Sequence, residues 1–160
     1  MSAASAIIRA SRDSRIMIEK IRAKMGEEIG VSDWLTVTQD RVNRFADATE
    51  DHQWIHVDAK RAAAGPFGTT IGHGFLTLSM IPHLAPSLEI EGIKMGINYG
   101  LNRVRFISPI PVGSKIRARS KLVDVSEVEG GVQLTNEVTI ELENSEKPAC
   151  VAETLSRLYF

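Results

Sequence analysis

The N-terminal part of the chain carries apolar residues at helical spacing. Ile18, Ile21 and Met25 recur at positions i, i+3 and i+7, and Gly26 follows them as a stop signal. Side chains at this spacing lie on one face of a helix and can pack against a core. The pattern predicts a helix over residues 14–25 that packs on the surface of the domain.

A strand and a second helix are predicted next. Residues 33–38 are β-branched and alternate, which is typical of a short strand. An apolar stripe over residues 41–49 then predicts a helix that either Thr38 or Asp40 can cap. The stripe consists of Val42, Phe45 and Ala46.

Residues 70–84 are apolar around almost the whole circumference of a helix, which predicts a buried helix rather than an amphipathic one. Pro82 should kink or end it near Ser79, because proline cannot donate the helical hydrogen bond. Gly72 and Gly74 at its entry destabilise a helix, so we expect them to allow close approach of the backbone instead. The apolar positions are Ile71, Phe75, Leu76, Leu78, Met80, Ile81 and Leu84.

The second half of the chain alternates with a period of two. It predicts four strands, over residues 95–106, 115–125, 131–142 and 147–160. The apolar parity changes inside the first of these strands, which indicates a bulge near Asn102. One buried helix followed by an antiparallel meander predicts an α+β fold in which the sheet wraps the helix.

Composition narrows the class of protein. The chain has 160 residues, of which 43% are apolar and 24% charged, with a formal net charge of -1. This balance favours a globular protein with no general attraction for nucleic acid or an anionic membrane. The single Cys150 excludes an intramolecular disulfide and fits a reducing cytoplasm. Acidic residues within the N-terminal 30 residues argue against a targeting peptide.

Candidate chemistry is concentrated in residues 45–78, where Asp51, His52, His56 and His73 precede the buried helix. Between these groups, residues 50–68 have no sustained period and predict a long ordered loop with one helical turn at 58–63. A carboxylate and a neutral imidazole five positions apart can hold a water molecule between them. Alternatively, Asp51, His52 and His56 match a metal site with two histidines and one carboxylate.

Three segments resemble the MaoC-like dehydratases, the (R)-specific enoyl-CoA hydratases of the hot-dog fold. The family motif Gly-Asp-x-Asn-Pro-aliphatic-His is similar to residues 50–56, with Asp51 and His56 at matching positions. Residues 72–79 match a small-His-Gly motif that ends in serine, and residues 98–113 resemble the strand and hairpin that follow. Three positions depart from the family motif: Glu50 replaces glycine, Gln53 replaces asparagine and Trp54 replaces proline.

The resemblance implies a hot-dog domain over residues 31–160, preceded by a helical extension over residues 1–30. It implies reversible hydration of trans-2-enoyl-CoA to (3R)-hydroxyacyl-CoA in fatty-acid metabolism, with no cofactor and no metal. Asp51 and His56 would activate the water molecule, and the N–H of Gly74 would meet the thioester carbonyl. The substrate would be a thioester of coenzyme A or acyl carrier protein, and a homodimer would complete the acyl tunnel.

Three further residues belong to this predicted substrate site, namely Gln53, His73 and Ser79. We expect His73 to orient the turn at Gly74 rather than to react. Ser79 either lines the pocket or bonds back to a helix carbonyl. A hot-dog thioesterase and a non-catalytic acyl-binding subunit remain as alternatives, although the Asp51–His56 pair argues against both.

Arginines on the first two strands of the meander suggest a second feature. If these strands form a hairpin with Phe106 opposite Ile116, like charges face each other and need compensation. One solution is a ladder to Glu137 and Glu141 on the next strand. The other is contact with the phosphates of coenzyme A. The facing pairs are Arg103 with Arg119 and Arg105 with Arg117, and the phosphate contacts would be Arg103, Arg105 and Arg119.

Overall fold

Six strands form one antiparallel sheet in the computed structural model, which describes residues 14–160. The order across the sheet is β1-β4-β5-β6-β3, and β2 also pairs with β4. Every pairing is antiparallel. The strands are β1 (Glu28–Val31), β2 (Leu35–Thr36), β3 (Met95–Phe106), β4 (Lys115–Val128), β5 (Gly131–Leu142) and β6 (Cys150–Tyr159).

Short helices cover one face of the sheet. After α1 (residues 14–22) come α2 (Gln39–Thr49), α3 (Trp54–Val57), α4 (Ala59–Ala63), α5 (Gly74–Ser79) and α6 (Ile81–Leu84). Thr38 caps α2 as predicted, since its hydroxyl accepts a hydrogen bond from the N–H of Arg41 at 3.2 Å. In the described part of the chain, no helix has the length and apolar character needed to cross a membrane.

The core has two apolar clusters on the inner face of the sheet. The first packs α2, α5 and α6 against β4, β5 and β6, and it includes Val42, Leu76, Ile116, Val138 and Ile140. The second packs α1 against the other end of the sheet, and it includes Ile18, Ile21, Leu122, Val132 and Leu134. The prediction of an α+β fold whose sheet packs around a buried helix is confirmed by this arrangement.

The N-terminal helix buries the predicted residues except one. Ile18 and Ile21 are buried, whereas Met25 is 44% exposed because it lies in the turn after α1. The predicted domain boundary at residue 30 falls inside β1, a strand that the sequence pattern did not indicate. Residues 1–13 of the predicted extension lie outside the described residues.

The predicted central helix over residues 70–84 is shorter and divided in two. Residues 70–73 are not helical, and α5 passes into α6 where Pro82 occupies the first turn of the second helix. The expectation that every apolar residue of this segment is buried is wrong for Phe75, which is 69% exposed. Its ring instead makes an edge contact with Phe106, with 5.9 Å between ring centroids.

The four predicted strands and the bulge near Asn102 are confirmed, because the register of β3 against β6 shifts between Leu101 and Arg103. The predicted strand over residues 33–38 is limited to the two residues of β2. The predicted loop of residues 50–68 contains two short helices, α3 and α4, rather than one helical turn.

The predicted hairpin between β3 and β4 is wrong. β3 pairs with β6 at one edge of the sheet, so β5 and β6 separate it from β4. The physical reason is the connection over residues 107–114, which bonds to the segment before α5 instead of making a turn. Gly72 donates to the carbonyl of Ile110 at 2.8 Å, and Val112 donates to the carbonyl of Thr70 at 2.9 Å.

Candidate functional site

The predicted catalytic groups meet where α2, α3 and the entry to α5 come together. Asp51 follows α2, His56 lies in α3, and His73 precedes α5. Gln39 ties these segments together, since its amide donates to the carbonyl of His56 at 2.8 Å and its oxygen accepts from Thr70 at 2.6 Å. Each functional side chain therefore lies on a short element that is fixed by hydrogen bonds to another.

His56 is buried, and a backbone acceptor sets its tautomer. Its Nδ1 lies 2.7 Å from the carbonyl oxygen of Ile71, with 6% of the residue exposed. Because a carbonyl can only accept, Nδ1 carries the hydrogen and the Nε2 of the neutral ring is left as an acceptor. Burial is the main cause that lowers the pKa of His56 from its ordinary value of 6.5. The ring is thus held neutral and oriented.

His73 stacks on the ring of His56. The two ring centroids are 3.7 Å apart with an interplanar angle of 25°. The Nε2 of His73 donates to the backbone carbonyl of Asp51 at 3.0 Å, and Phe45 packs on its other side with centroids 5.0 Å apart. Its Nδ1 is buried with no hydrogen-bond partner among the described residues. These contacts give His73 a structural role, but they reach Asp51 and His56 rather than the turn at Gly74 that it was predicted to orient.

The carboxylate of Asp51 is exposed and completes the group. One of its oxygens and one ring nitrogen each of His56 and His73 lie within 4.8 Å of one another. A water molecule can bridge a carboxylate and an imidazole across such a distance, because each hydrogen bond spans about 2.8 Å. The chemistry available here is therefore proton transfer to and from a bound water.

The geometry argues against the predicted metal alternative. His52 is not part of the group that Asp51 and His56 form, and it is bonded to Asp47 at 2.9 Å, a contact that raises the pKa of the exposed His52 ring. His73 approaches Asp51 and His56 instead, but its ring is stacked nearly parallel on that of His56. Lone pairs in the planes of stacked rings do not converge on one ion, as tetrahedral coordination requires.

Gly74 opens α5 in close contact with an aromatic ring. A Cβ atom at this position would lie 2.9 Å from the ring of Phe106, so only glycine fits without movement. Gly74 is the first residue of α5, where N–H groups have no intrahelical partner. The N–H is thus available in a place where a side chain is excluded.

Ser79 and Gln53 take different positions. The hydroxyl of Ser79 donates to the carbonyl of Phe75 at 2.7 Å, and the residue also borders a cavity of about 600 Å³, so both interpretations of Ser79 are met. Gln53 is exposed, and its carbonyl accepts from the N–H of His56 at 2.9 Å. Its side chain makes no hydrogen bond within residues 14–160.

The three arginines predicted to contact coenzyme A phosphates do not form one cluster. Three strand spacings, about 14 Å, separate Arg119 from Arg103 and Arg105 across the sheet. Arg119 is paired with Glu28 and with Glu141, the latter at 3.2 Å. Arg117 also pairs with Glu141 at 2.5 Å, which confirms the ladder to that residue, whereas Glu137 lies opposite Lys121 and Glu153. Arg105 donates to the carbonyl of Val104 at 2.7 Å.

Comparison with known proteins identifies the protein family to which this chain belongs. Residues 20–144 match the model of the MaoC like domain. The chain belongs to the MaoC-like dehydratase family. The 3-hydroxyacyl-thioester dehydratase Z of Mycobacterium tuberculosis is 57% identical over 142 residues, which cover 88% of this chain and 94% of that protein. Nodulation protein N of Rhizobium leguminosarum bv. viciae is 43% identical over 150 residues, covering 91% and 92%.

A solved structure supports the same assignment at the level of the fold. The (R)-hydratase from A. caviae involved in PHA biosynthesis superposes with a TM-score of 0.66 at 24% identity, covering 84% of this chain and 96% of that one. The predicted hot-dog fold is therefore confirmed. As a MaoC-like dehydratase, the protein is a hydro-lyase.

The departures from the family motif have identifiable structural effects. Glu50, at the position of the motif glycine, has a φ angle of 60° in the left-handed region that favours glycine. Trp54, at the position of the motif proline, is the first residue of α3, where proline is well suited. The indole instead packs beside Gly65 and under the guanidinium of Arg61, 4.5 Å from the ring centroid.

Sequence reasoning missed the groups that support the predicted catalytic pair. Gln39 and the carbonyl of Ile71 each form a hydrogen bond with His56, and Thr70 in turn donates to the side-chain oxygen of Gln39. Gln39 and Thr70 are separated by 31 residues, and a carbonyl exists in every residue, so neither had a local signal.

Replacing Glu50 by glycine should stabilise the protein by about 1 kcal/mol, because a residue with a Cβ atom pays that cost in the left-handed conformation. Glu50→Ala is the matched control, since it removes the carboxylate but keeps the Cβ atom. Urea denaturation measures the free energy of unfolding of both variants. Equal stabilisation by glycine and alanine would assign the effect to charge and contradict a backbone origin.

Proposed function

We propose that this protein reversibly hydrates trans-2-enoyl thioesters to (3R)-hydroxyacyl thioesters in fatty-acid metabolism, with Asp51 and His56 as the catalytic pair. The observation that carries the proposal is the buried His56, whose Nδ1 is held by the carbonyl of Ile71 beside the Asp51 carboxylate. The named activity of the 57% identical relative, a 3-hydroxyacyl-thioester dehydratase, supports the same reaction class.

In this mechanism a water molecule bridges the two catalytic side chains. The Nε2 of His56 accepts one proton from the water, while the Asp51 carboxylate accepts a hydrogen bond from the O–H that stays on the water oxygen. As the O–H bond breaks, the oxygen bonds to the β-carbon and the electron pair of the double bond moves toward the thioester carbonyl. The imidazolium then returns its proton to the α-carbon, so that one water is added in total.

The thioester carbonyl gains negative charge during this addition. The N–H of Gly74 is the proposed donor to it, because unpaired N–H groups at the start of a helix stabilise an oxyanion. The ring of Phe106 lies so close to Gly74 that no side chain fits at this position, so none can block access of the substrate to the N–H. His73 acts here as a positioning residue, since it links His56 by stacking to the backbone of Asp51.

The acyl chain is proposed to follow α5 into the cavity of about 600 Å³ that Ser79 borders. This cavity lies between the α5–α6 segment and the strands β3 to β6, and its lining includes Leu78, Ile81, Leu134 and Leu158. In this proposal the buried helix and the sheet together form the wall of the acyl tunnel. Coenzyme A and acyl carrier protein remain the two candidate carriers.

A homodimer is the proposed assembly, and β3 is the proposed contact. This strand lies at the edge of the sheet, and its row of exposed apolar side chains includes Met95, Ile97, Tyr99 and Leu101. An edge strand with unpaired backbone groups and an apolar surface favours association with another strand.

Substitution of the catalytic pair tests the mechanism directly. With crotonyl-CoA, Asp51→Asn and His56→Gln should each lower kcat/KM by at least ~100-fold, because each removes one partner of the water. Loss of absorbance at the enoyl band reports hydration, chiral analysis of the product reports the (3R) configuration, and a thiol reagent reports thioester hydrolysis.

His52→Ala is the matched control, since the exposed His52 bonds only to Asp47 among the described side chains. Its kcat/KM should stay within about twofold of the wild-type value. Thiol release by the wild type without hydration would assign the protein to the thioesterases instead. Rates in Asp51→Asn and His56→Gln close to the wild-type rate would contradict the catalytic pair.

The pH dependence tests the role of His56 as a base. A base must be neutral, so kcat/KM should fall as the pH decreases through the pKa of His56 in the free enzyme. Because burial lowers this pKa, the acidic midpoint should lie below 6.5. A kcat/KM profile on crotonyl-CoA between acidic and neutral pH measures the midpoint. Activity that instead falls as the pH rises through this range would mean that His56 works in its protonated form.

Charged substitution on the outer edge of β3 tests the homodimer. The double variant Met95→Lys and Ile97→Lys should shift the sedimentation mass from dimer to monomer, because like charges would then face each other across the contact. Circular dichroism confirms that the variant is folded. A wild type that sediments as a monomer at the assay concentration would refute the proposed assembly.

A further inference from the structure

The cavity beside α5 has polar side chains in its wall, although a tunnel for an unsubstituted acyl chain needs only apolar ones. Five neutral polar residues border it from the sheet, and they lie between the two apolar core clusters. We refer to them as the polar belt: Asn98, Ser120, Asn136, Thr154 and Ser156.

The strand register places the belt on the inner face of the sheet. Residues that face each other in adjacent strands share a face. Asn136 lies opposite Thr154 on one side and the fully buried Leu122 on the other. Ser156 lies opposite Asn98 and Leu134. Ser120 lies opposite the buried Val138. The five polar side chains therefore share the face that packs against the helices.

The belt has almost no hydrogen-bond partners within the protein. In the described chain, the only side-chain hydrogen bond from these five residues runs from the hydroxyl of Thr154 to the carbonyl of Asn136, at a long 3.4 Å. Ser120 is buried, Asn136, Thr154 and Ser156 are half-buried and Asn98 is exposed, so the belt keeps hydrogen-bonding capacity toward a ligand in the cavity. A saturated alkyl chain would cover these groups without pairing them, which is unfavourable.

The position of the belt defines which part of a substrate it can meet. Ser79, which borders the cavity, is separated from Gly74 by the length of α5, about 7.5 Å at the usual helical rise. If the thioester carbonyl meets Gly74, the belt faces atoms several bonds away from it. The thioester end of the acyl chain thus lies at the reacting site, and a more distant part of the same chain lies at the belt.

The neutral lining of the cavity limits which ligand groups can bind there. Its lining contains no acidic, basic or histidine side chain. A carboxylate buried there would lack a counter-charge, which is strongly unfavourable. Hydroxyl and amide side chains can pair with a neutral oxygen as either donor or acceptor.

We infer that the substrate is an acyl thioester whose chain carries a neutral oxygen function, a hydroxyl or keto group, remote from the thioester. The inference rests on the proposed function, because it places the thioester at Gly74. The polar belt binds this oxygen in the cavity, while the apolar residues around it contact the rest of the chain.

Binding of unreactive ligands tests the inference without turnover. Calorimetry on the full protein compares saturated hexanoyl-, octanoyl- and decanoyl-CoA with their ω-hydroxy and ω-carboxy derivatives. At the chain length that reaches the belt, the hydroxy ligand should bind about tenfold more tightly than the plain ligand, and the carboxy ligand more weakly than both. Plain chains that bind at least as tightly at all three lengths would overturn the inference.

Two belt variants and one control test whether the belt causes the preference for the hydroxy ligand. Asn136→Leu and Thr154→Val each replace a polar side chain by an apolar one of similar size, and either should abolish most of the roughly tenfold preference. Thr139→Val makes the same change on the outer face of β5 and should retain the full preference. An unchanged preference in the folded belt variants would also overturn the inference.

The outcomes separate this inference from the proposed reaction. Hydration of crotonyl-CoA without a preference for hydroxy ligands would support the reaction and overturn the belt. A hydroxy preference that depends on Asn136, in a protein that hydrates no enoyl thioester, would support the belt and refute the reaction. Failure of every ligand to bind would count against both.

Discussion

The hydrogen bond from His56 to the carbonyl of Ile71 is the interaction on which the site depends. It joins the loop after α2 to the segment that enters α5, two parts of the chain separated by 15 residues. Because the bond is buried, it is not weakened by competition with water, and it also fixes the tautomer of the ring. A single contact thus sets both the geometry of the loop and the chemistry of the imidazole.

The same segment explains why the strands do not follow the simplest connection. Residues 70–72 bond to His56 on one side and to residues 110–112 on the other, through a backbone pairing of Ile71 with Pro111. The chain after β3 is therefore held beside the candidate site, and two strands, β5 and β6, separate β3 from β4.

Local patterns were sufficient for the strands, for α2 and for the proximity of Asp51 to His56, because each depends on spacing within a short window. The period of two predicted all four long strands, and the parity change at Asn102 predicted the bulge. Pairing between strands depends on contacts far apart in sequence, so the β3–β4 hairpin, the simplest assumption, failed. Phe75 failed for a related reason, since its helical spacing does not reveal which face of α5 meets the sheet.

The polar residues of the site and of the core obey different constraints. Around His56, nearly every polar group has a partner, and the unpaired Nδ1 of His73 is the exception inside the stacked pair. In the polar belt only Thr154 has a side-chain hydrogen bond within the described chain, and the belt residues other than Ser120 keep some exposure to solvent. Folding alone would favour apolar residues at these inner positions, as found in the rows on either side. The departure from that preference lies in the cavity and nowhere else along the inner face of β5, which is why we attribute it to recognition rather than to stability.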